Sequence, residues 1–226
     1  MSIANNIGDV RQKIFAAAAR SGRDPRAVKL LAVTKTVAIP DMNQALALQV
    51  NAFGENRVQE LLQKYPQFPL DVEWHLIGHL QTNKVRQIID KLTLLHSLDR
   101  LNLAKAISDA AQGRIVPVLL QVNVARETTK YGMAPEEVMD FLSEISSYQG
   151  LAVQGLMTMA PFVANPEEAR PVFRGLADLA QKVRAKEFPG VVMRWLSMGM
   201  TNDFEVAIEE GANLVRVGSG IFGTRN

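Results

Sequence analysis

Lys35 closes the segment KLLAVTKT (residues 29–36), an apolar run that ends in an amine. Leu30, Leu31, Ala32 and Val33 read as a strand buried on both faces, and a charge at the end of such a strand is costly unless something uses it. Alternation along the strand puts Leu31, Val33 and Lys35 on one face, so the amine can point into a partly desolvated mouth. Desolvation favours the neutral form of an amine, and a neutral amine is a nucleophile toward aldehydes, the requirement for a Schiff base. The same position suits an ion-paired lysine or one whose ammonium snorkels to water.

A second group of candidates lies almost 200 residues away. Ser197-Met198-Gly199-Met200-Thr201-Asn202 and Gly218-Ser219-Gly220 each follow an apolar run and are rich in small residues and hydroxyls. Backbone N–H groups at such turns bind anions and glycine lets the backbone approach, so the two loops read as a phosphate cup. Arg216 precedes Gly218 by two residues on the same strand face. Its fork can reach a ring nitrogen or a carboxylate, or sit in a salt bridge. The run GSGIFG (218–223) matches the dinucleotide fingerprint, but only Thr224, Arg225 and Asn226 follow, without the second strand and acidic residue that a dinucleotide fold requires.

Other residues carry two readings each. His75 and His79 have metal-like spacing but fall on a strand and the loop after it, and the sequence has no cysteine, so a zinc site is not expected. His75 and His96 are expected as hydrogen-bonded core residues. Asn56, within Glu55-Asn56-Arg57, and Asn123 can line a mouth or serve a cap or loop, with Asn56 favoured. Tyr131 offers a phenol, and Met157 and Met159 can pack against a ring or fill the core.

The elements that must position these groups are legible from periodicity. Ile3, Ile7, Val10, Ile14 and Ala18 mark an amphipathic N-terminal helix closed near Gly22. Apolar runs at 29–36, 52–54, 73–78, 92–97, 115–124, 151–157, 191–196 and 213–217 predict eight strands. Helical patterns separate them at 40–50, 55–65, 82–91, 100–111, 135–147, 166–186 and 203–210. This alternation favours right-handed βαβ units and a parallel sheet. Eight units close a (β/α)8 TIM barrel over residues 1–226, carrying an extra N-terminal helix, with only 219–226 left for a last helix; the alternative is an open doubly wound sheet. A barrel puts its active site at the C-terminal strand ends, its phosphate site after strands seven and eight, and its first strand beside its eighth.

Composition narrows the function. At 47% hydrophobic and 21% charged, 226 residues suffice for one large core. A net charge of +2 gives too weak a field to suggest nucleic acid or an anionic membrane as partner. No run of about 18 apolar residues occurs, and the start MSIANNIGDVRQKI lacks a signal-peptide core, so a cytoplasmic location is expected. A lysine facing a phosphate cup, with an arginine between, suggests pyridoxal phosphate, a flat aldehyde with a phosphate handle.

The blocks LLAVTKT, FGENRVQE, HLIGHLQTNK, NVARETTKYGM, GLMTMAP, SMGMTND and VRVGSGIFGTR, in that order, make the chain similar to the pyridoxal phosphate homeostasis proteins, which resemble the N-terminal barrel of alanine racemase without its second domain. The resemblance implies that Lys35 forms the Schiff base with the cofactor and that Ser197, Gly218 and Ser219 hold its phosphate. It further implies that Arg216 faces the pyridine nitrogen and that Asn56 and Met157 lie near the ring. Thr201 stands where the family often has serine, which preserves the hydroxyl. An arginine beside the ring nitrogen disfavours its protonation and weakens the ring as an electron sink, and no dedicated second base is visible. The expected role is therefore reversible carriage or buffering of pyridoxal phosphate by a monomer, with dependent apoenzymes or a regulatory protein as partners. The alternative is a small amino-acid racemase using Tyr131 or His79.

Overall fold

The apolar runs form eight parallel strands that hydrogen-bond in sequence order and close on themselves, in a computed structural model that describes residues 2–224. In chain order the elements are α1 (Ile3–Arg20), β1 (Lys29–Val33), α2 (Ile39–Ala47), β2 (Ala52–Glu55), α3 (Val58–Lys64), β3 (Glu73–Leu76), α4 (Val85–Ile88), β4 (Leu94–Leu98) and α5 (Leu101–Ala111). They continue with β5 (Val116–Gln121), α6 (Val138–Ile145), β6 (Leu151–Met157), α7 (Arg170–Lys186), β7 (Val191–Met200), α8 (Phe204–Glu209), β8 (Leu214–Val217) and the single turn α9 (Ser219–Phe222). Short 3-10 turns fill several connections. The barrel closes where Lys29 to Ala32 pair with Leu214 to Val217. The open-sheet alternative is thereby excluded.

Two apolar regions hold the fold. Residues such as Phe53, Trp74, Leu76 and Phe173 fill the shell between strands and helices, with Phe53, Phe68 and Trp74 meeting edge to face. Leu31, Ala52, Leu94, Leu119, Met157 and Leu214 fill the barrel interior. The N-terminal helix supplies the cover that a full eighth helix would give. Ile7, Val10, Ile14, Ala17 and Ala18 are buried at helical spacing, and α1 lies against α2, α8 and α9. Burial of each of the three larger side chains stabilises by roughly 2 kcal/mol. The Asn6 amide donates to the Ile221 carbonyl at 2.8 Å, fastening this helix to the turn after β8.

Strand ends differ from the sequence expectation where chemistry sits. β1 stops at Val33, and Thr34 to Thr36 form a turn with Thr36 at φ +58°. β5 ends at Gln121, so Asn123 lies beyond it and spends its side chain on Glu127, accepting from the N–H and donating to the carbonyl. β7 runs on to Met200 instead of stopping at Leu196. Its register shifts between Ser197 and Met200, and this bulge carries Gly199 at φ +90° against α8. A Cβ at Gly199 would lie 2.7 Å from Ala207 Cβ and 2.8 Å from Phe204 Cα, so only glycine fits there.

Candidate functional site at the barrel mouth

The C-terminal ends of the strands surround a cavity of about 640 Å³. Lys35, Asn56, Met157, Arg216, Gly218 and Ser219 all line it. Ser197 does not. The expected juxtaposition of an amine after β1 and glycine-rich backbone after β8 follows from barrel closure, because those two strands are neighbours. Lys35 is exposed in the cavity wall rather than partly desolvated. Asn56 follows β2 half-buried, and Met157, at 1% exposure, joins the barrel interior to the cavity floor.

Arg216 lies deepest among the lining cations. It is 3% exposed and donates to Ser197 Oγ at 2.6 Å and to the Thr158 carbonyl at 2.9 Å. No carboxylate pairs with it among the described residues, so the salt-bridge reading does not apply. Desolvation lowers its pKa to about 10, with Asp203 opposing, and it stays protonated at neutral pH. Ser197 is fully buried within β7 because the bulge extends the strand past it. Its hydroxyl accepts from Arg216 and is 3.0 Å from His96 Nδ1. It is therefore placed to steady the arginine, not to face the cavity.

The hydrogen-bond directions can be followed onward. The Glu73 carboxylate can only accept, so neutral His75 carries its hydrogen on Nε2, His96 Nε2 donates to His75 Nδ1 at 2.9 Å, and the Ser197 hydroxyl donates to His96 Nδ1 while accepting from Arg216. The His75 Nε2–H lies 3.6 Å from Glu73 Oε2. Burial holds both imidazoles below their ordinary pKa, His96 well below, and the neutral forms this chain requires agree with that. Glu73 is lowered to about 2, chiefly by the His75 N–H and also by its partner Lys29. The two histidines are thus core hydrogen-bonding residues, and no cluster of three or more metal-ligating side chains occurs among the described residues.

The hydroxyl that reaches the glycine turn belongs to Thr201. Its Oγ1 accepts from the Gly220 N–H at 3.2 Å and from Ser219 Oγ at 3.3 Å, and Thr201 lines the cavity. A Cβ on Gly220 would approach Val217 Cγ1 to 2.9 Å and Thr201 Cγ2 to 3.1 Å, so glycine lets the two loops meet. Thr201, Gly218 and Ser219 therefore form the small, polar wall of the cavity. The buried carboxyl of Asp203, raised by burial, accepts from the Met200 N–H at 2.6 Å and fixes the start of α8 beneath them.

The rim is apolar and aromatic. His79 and Tyr131 stack with centroids 4.4 Å apart and planes at 25°, beside Met159, Pro161 and Phe162, the last 90% exposed. Burial first and Arg100 second hold His79 below its ordinary pKa. Gln121, Pro161, Phe162 and Asp203 were not singled out in the sequence; the one local signal for an apolar rim is the Ala160-Pro161-Phe162 run after strand six.

Comparison with known proteins agrees with this geometry. The family description "Alanine racemase, N-terminal domain" matches residues 6–226. The chain is similar to the pyridoxal phosphate homeostasis protein of Aquifex aeolicus, 43% identical over 100% of this chain and 99% of the relative. It is also similar to that of Escherichia coli K12, 36% identical over 99% of this chain and 97% of the relative. Among solved structures, PipY of Synechococcus elongatus with PLP bound superposes with a TM-score of 0.80 at 32% identity, over 95% of this chain and all (100%) of PipY. Alanine racemase from Corynebacterium glutamicum shares the fold at 16% identity and TM-score 0.71, over 96% of this chain and 61% of the racemase.

Proposed function

Since the chain belongs to the family of pyridoxal phosphate homeostasis proteins, built on the alanine racemase N-terminal domain, we propose that it binds pyridoxal 5'-phosphate reversibly at Lys35 and carries or buffers it in the cytoplasm. The single observation that carries this reading is the convergence of Lys35, Arg216 and the Thr201–Gly218–Ser219 wall on one cavity. Their chemistry fits the cofactor. A bridge of small residues without side-chain bulk suits a phosphate, an amine suits an aldehyde, and a donor-only fork suits a pyridine nitrogen. Bound here, pyridoxal phosphate supplies an aldehyde that an amine captures reversibly and a ring that can delocalise charge.

The residues of the chain then have separate tasks. Lys35 would hold the aldehyde carbon. Thr201, Gly218 and Ser219 hold the phosphate, and Ser197 holds Arg216. Arg216 keeps its own proton and would offer the ring nitrogen a hydrogen bond, which would disfavour carbanion chemistry. Met157 and Asn56 would flank the ring. The polar groups at the rim, His79 and Tyr131, are stacked on each other, and burial keeps His79 neutral; turnover would have to use one of them as second base. Carriage without turnover is the better-supported role, exercised by a monomer on pyridoxal-phosphate-dependent apoenzymes or through a regulatory protein.

The test is a spectroscopic titration with pyridoxal phosphate of the wild type and Lys35→Ala, followed by amino-acid addition. The expected result is a visible band that needs Lys35, while pyridoxine 5'-phosphate, which lacks the aldehyde, binds both proteins alike. Addition of an amino acid changes the spectrum without forming product. An equal band in Lys35→Ala overturns the capture site, and steady turnover of the amino acid overturns the carrier role.

A further inference from the structure

The turn that carries Lys35 is gripped on both sides by charged side chains. Before the lysine, the Thr34 carbonyl accepts from Lys64 Nζ at 2.7 Å, and the Thr34 hydroxyl donates to Glu55 Oε1 at 2.6 Å. After it, the Thr36 N–H donates to Glu60 Oε1 at 2.5 Å. Lys64 ties the two halves together, donating also to Glu55 Oε1 at 2.8 Å and Glu60 Oε1 at 2.7 Å. An ammonium has three hydrogens, and all three are engaged. The peptide group preceding Lys35 and the one following it are thus each fixed by a charged side chain from β2 or α3.

This is a demanding construction for a β1–α2 turn. Glu55 is 0% exposed and Lys64 7% exposed, and one carboxylate oxygen of Glu55 has no partner. Buried ion clusters gain little stability over apolar packing, so their retention calls for another use. Thr36, a β-branched residue, sits in the left-handed region, which persists only where the surroundings over-determine it. Both peculiarities meet at the single residue between them.

We propose that Glu55, Lys64 and Glu60 are positioning residues for Lys35: they clamp the peptide groups on either side of it and so fix where its amine enters the cavity, without touching the cofactor. The proposal rests on the reading of Lys35 as the capturing amine. Because the clamp holds only the lysine turn, its loss slows covalent capture and leaves the phosphate wall intact.

The experiment uses Glu60→Ala, which removes the acceptor of the Thr36 N–H from a helix position with 20% of its side chain exposed. Attachment of pyridoxal phosphate to Lys35 is trapped with borohydride and located by mass spectrometry, and pyridoxine 5'-phosphate binding is measured by calorimetry. Expected is about ten-fold slower attachment with analogue affinity within about two-fold of wild type. Glu60→Gln, whose amide oxygen can still accept from Thr36, recovers most of the rate. If Glu60→Ala melts below the assay temperature, Glu60→Asp, one methylene short, carries the same expectation. Attachment at the wild-type rate overturns the clamp, as does a parallel loss of attachment and analogue binding, the mark of general loosening. A wild type that attaches nothing at Lys35 would instead overturn the capture reading, and the clamp with it.

Discussion

Ser197→Ala separates support of the arginine from direct phosphate binding. The substitution leaves almost no cavity, but it takes from Arg216 its 2.6 Å acceptor and from His96 its 3.0 Å partner inside the barrel. A hydrogen bond to a buried charge contributes about 2 kcal/mol and a neutral one about 1, so roughly 3 kcal/mol of stability should go. For a domain of this size that is a fall in melting temperature of roughly 9 °C. The assay pairs a thermal melt with calorimetric binding of inorganic phosphate, the group proposed for the Thr201–Gly218–Ser219 wall. Phosphate affinity should stay within about two-fold of wild type, whereas Thr201→Val should lose phosphate binding with a smaller change in melting. A Ser197→Ala protein that melts like wild type yet loses phosphate affinity would refute the reasoning and return Ser197 to the phosphate wall.

Acid should destabilise the chain in two windows. His75 and His96 have folded pKa values pushed below their ordinary 6.5, so below about pH 6.5 the unfolded chain binds the extra protons and stability falls. Glu73, depressed to about 2, adds stability above its ordinary 4.5 that is lost as pH falls toward 2. Melts from pH 7.5 to 5 should therefore slope less in His96→Gln, and an unchanged slope would contradict the assignment. Gly199→Ala should cost about 3 kcal/mol or more, because the new Cβ meets α8 at 2.7 Å in a left-handed conformation; soluble yield and melting temperature would show it, and a wild-type melt would deny the steric argument.

The parts of this architecture legible in the sequence were those with local signals. Each strand is an apolar run between helical patterns, and Lys35 stood out because an amine ended one of them. The glycines at 218 and 220 pointed to an anion-binding turn, and closure placed that turn beside Lys35. Ser197 was less legible because SMGMTN has a loop's composition. A bulge at Gly199 keeps it in the strand, turning Ser197 inward and passing the exposed hydroxyl to Thr201. The grip on the lysine turn left no trace either: Glu55, Glu60 and Lys64 look like ordinary charges near a helix start. Only the tertiary approach of Thr34 and Thr36 gives them a common target. The two buried histidines were correctly expected to be hydrogen-bonded, but the path linking them to Arg216 depends on four different strands.

The pairing of β1 with β8 also sets an order of events during synthesis. Until Leu214 to Val217 leave the ribosome, Lys29 to Ala32 have an unpaired edge, and no earlier strand can take that place in a barrel of this register. Both halves of the cavity wall, the lysine turn and the glycine turn, lie on either side of this seam. A growing chain therefore has no complete pocket, and one that has opened along the seam has lost it. Any ligand spanning the seam would bind the closed barrel in preference to the open one and draw the population toward closure, so its concentration would act on the lifetime of this protein.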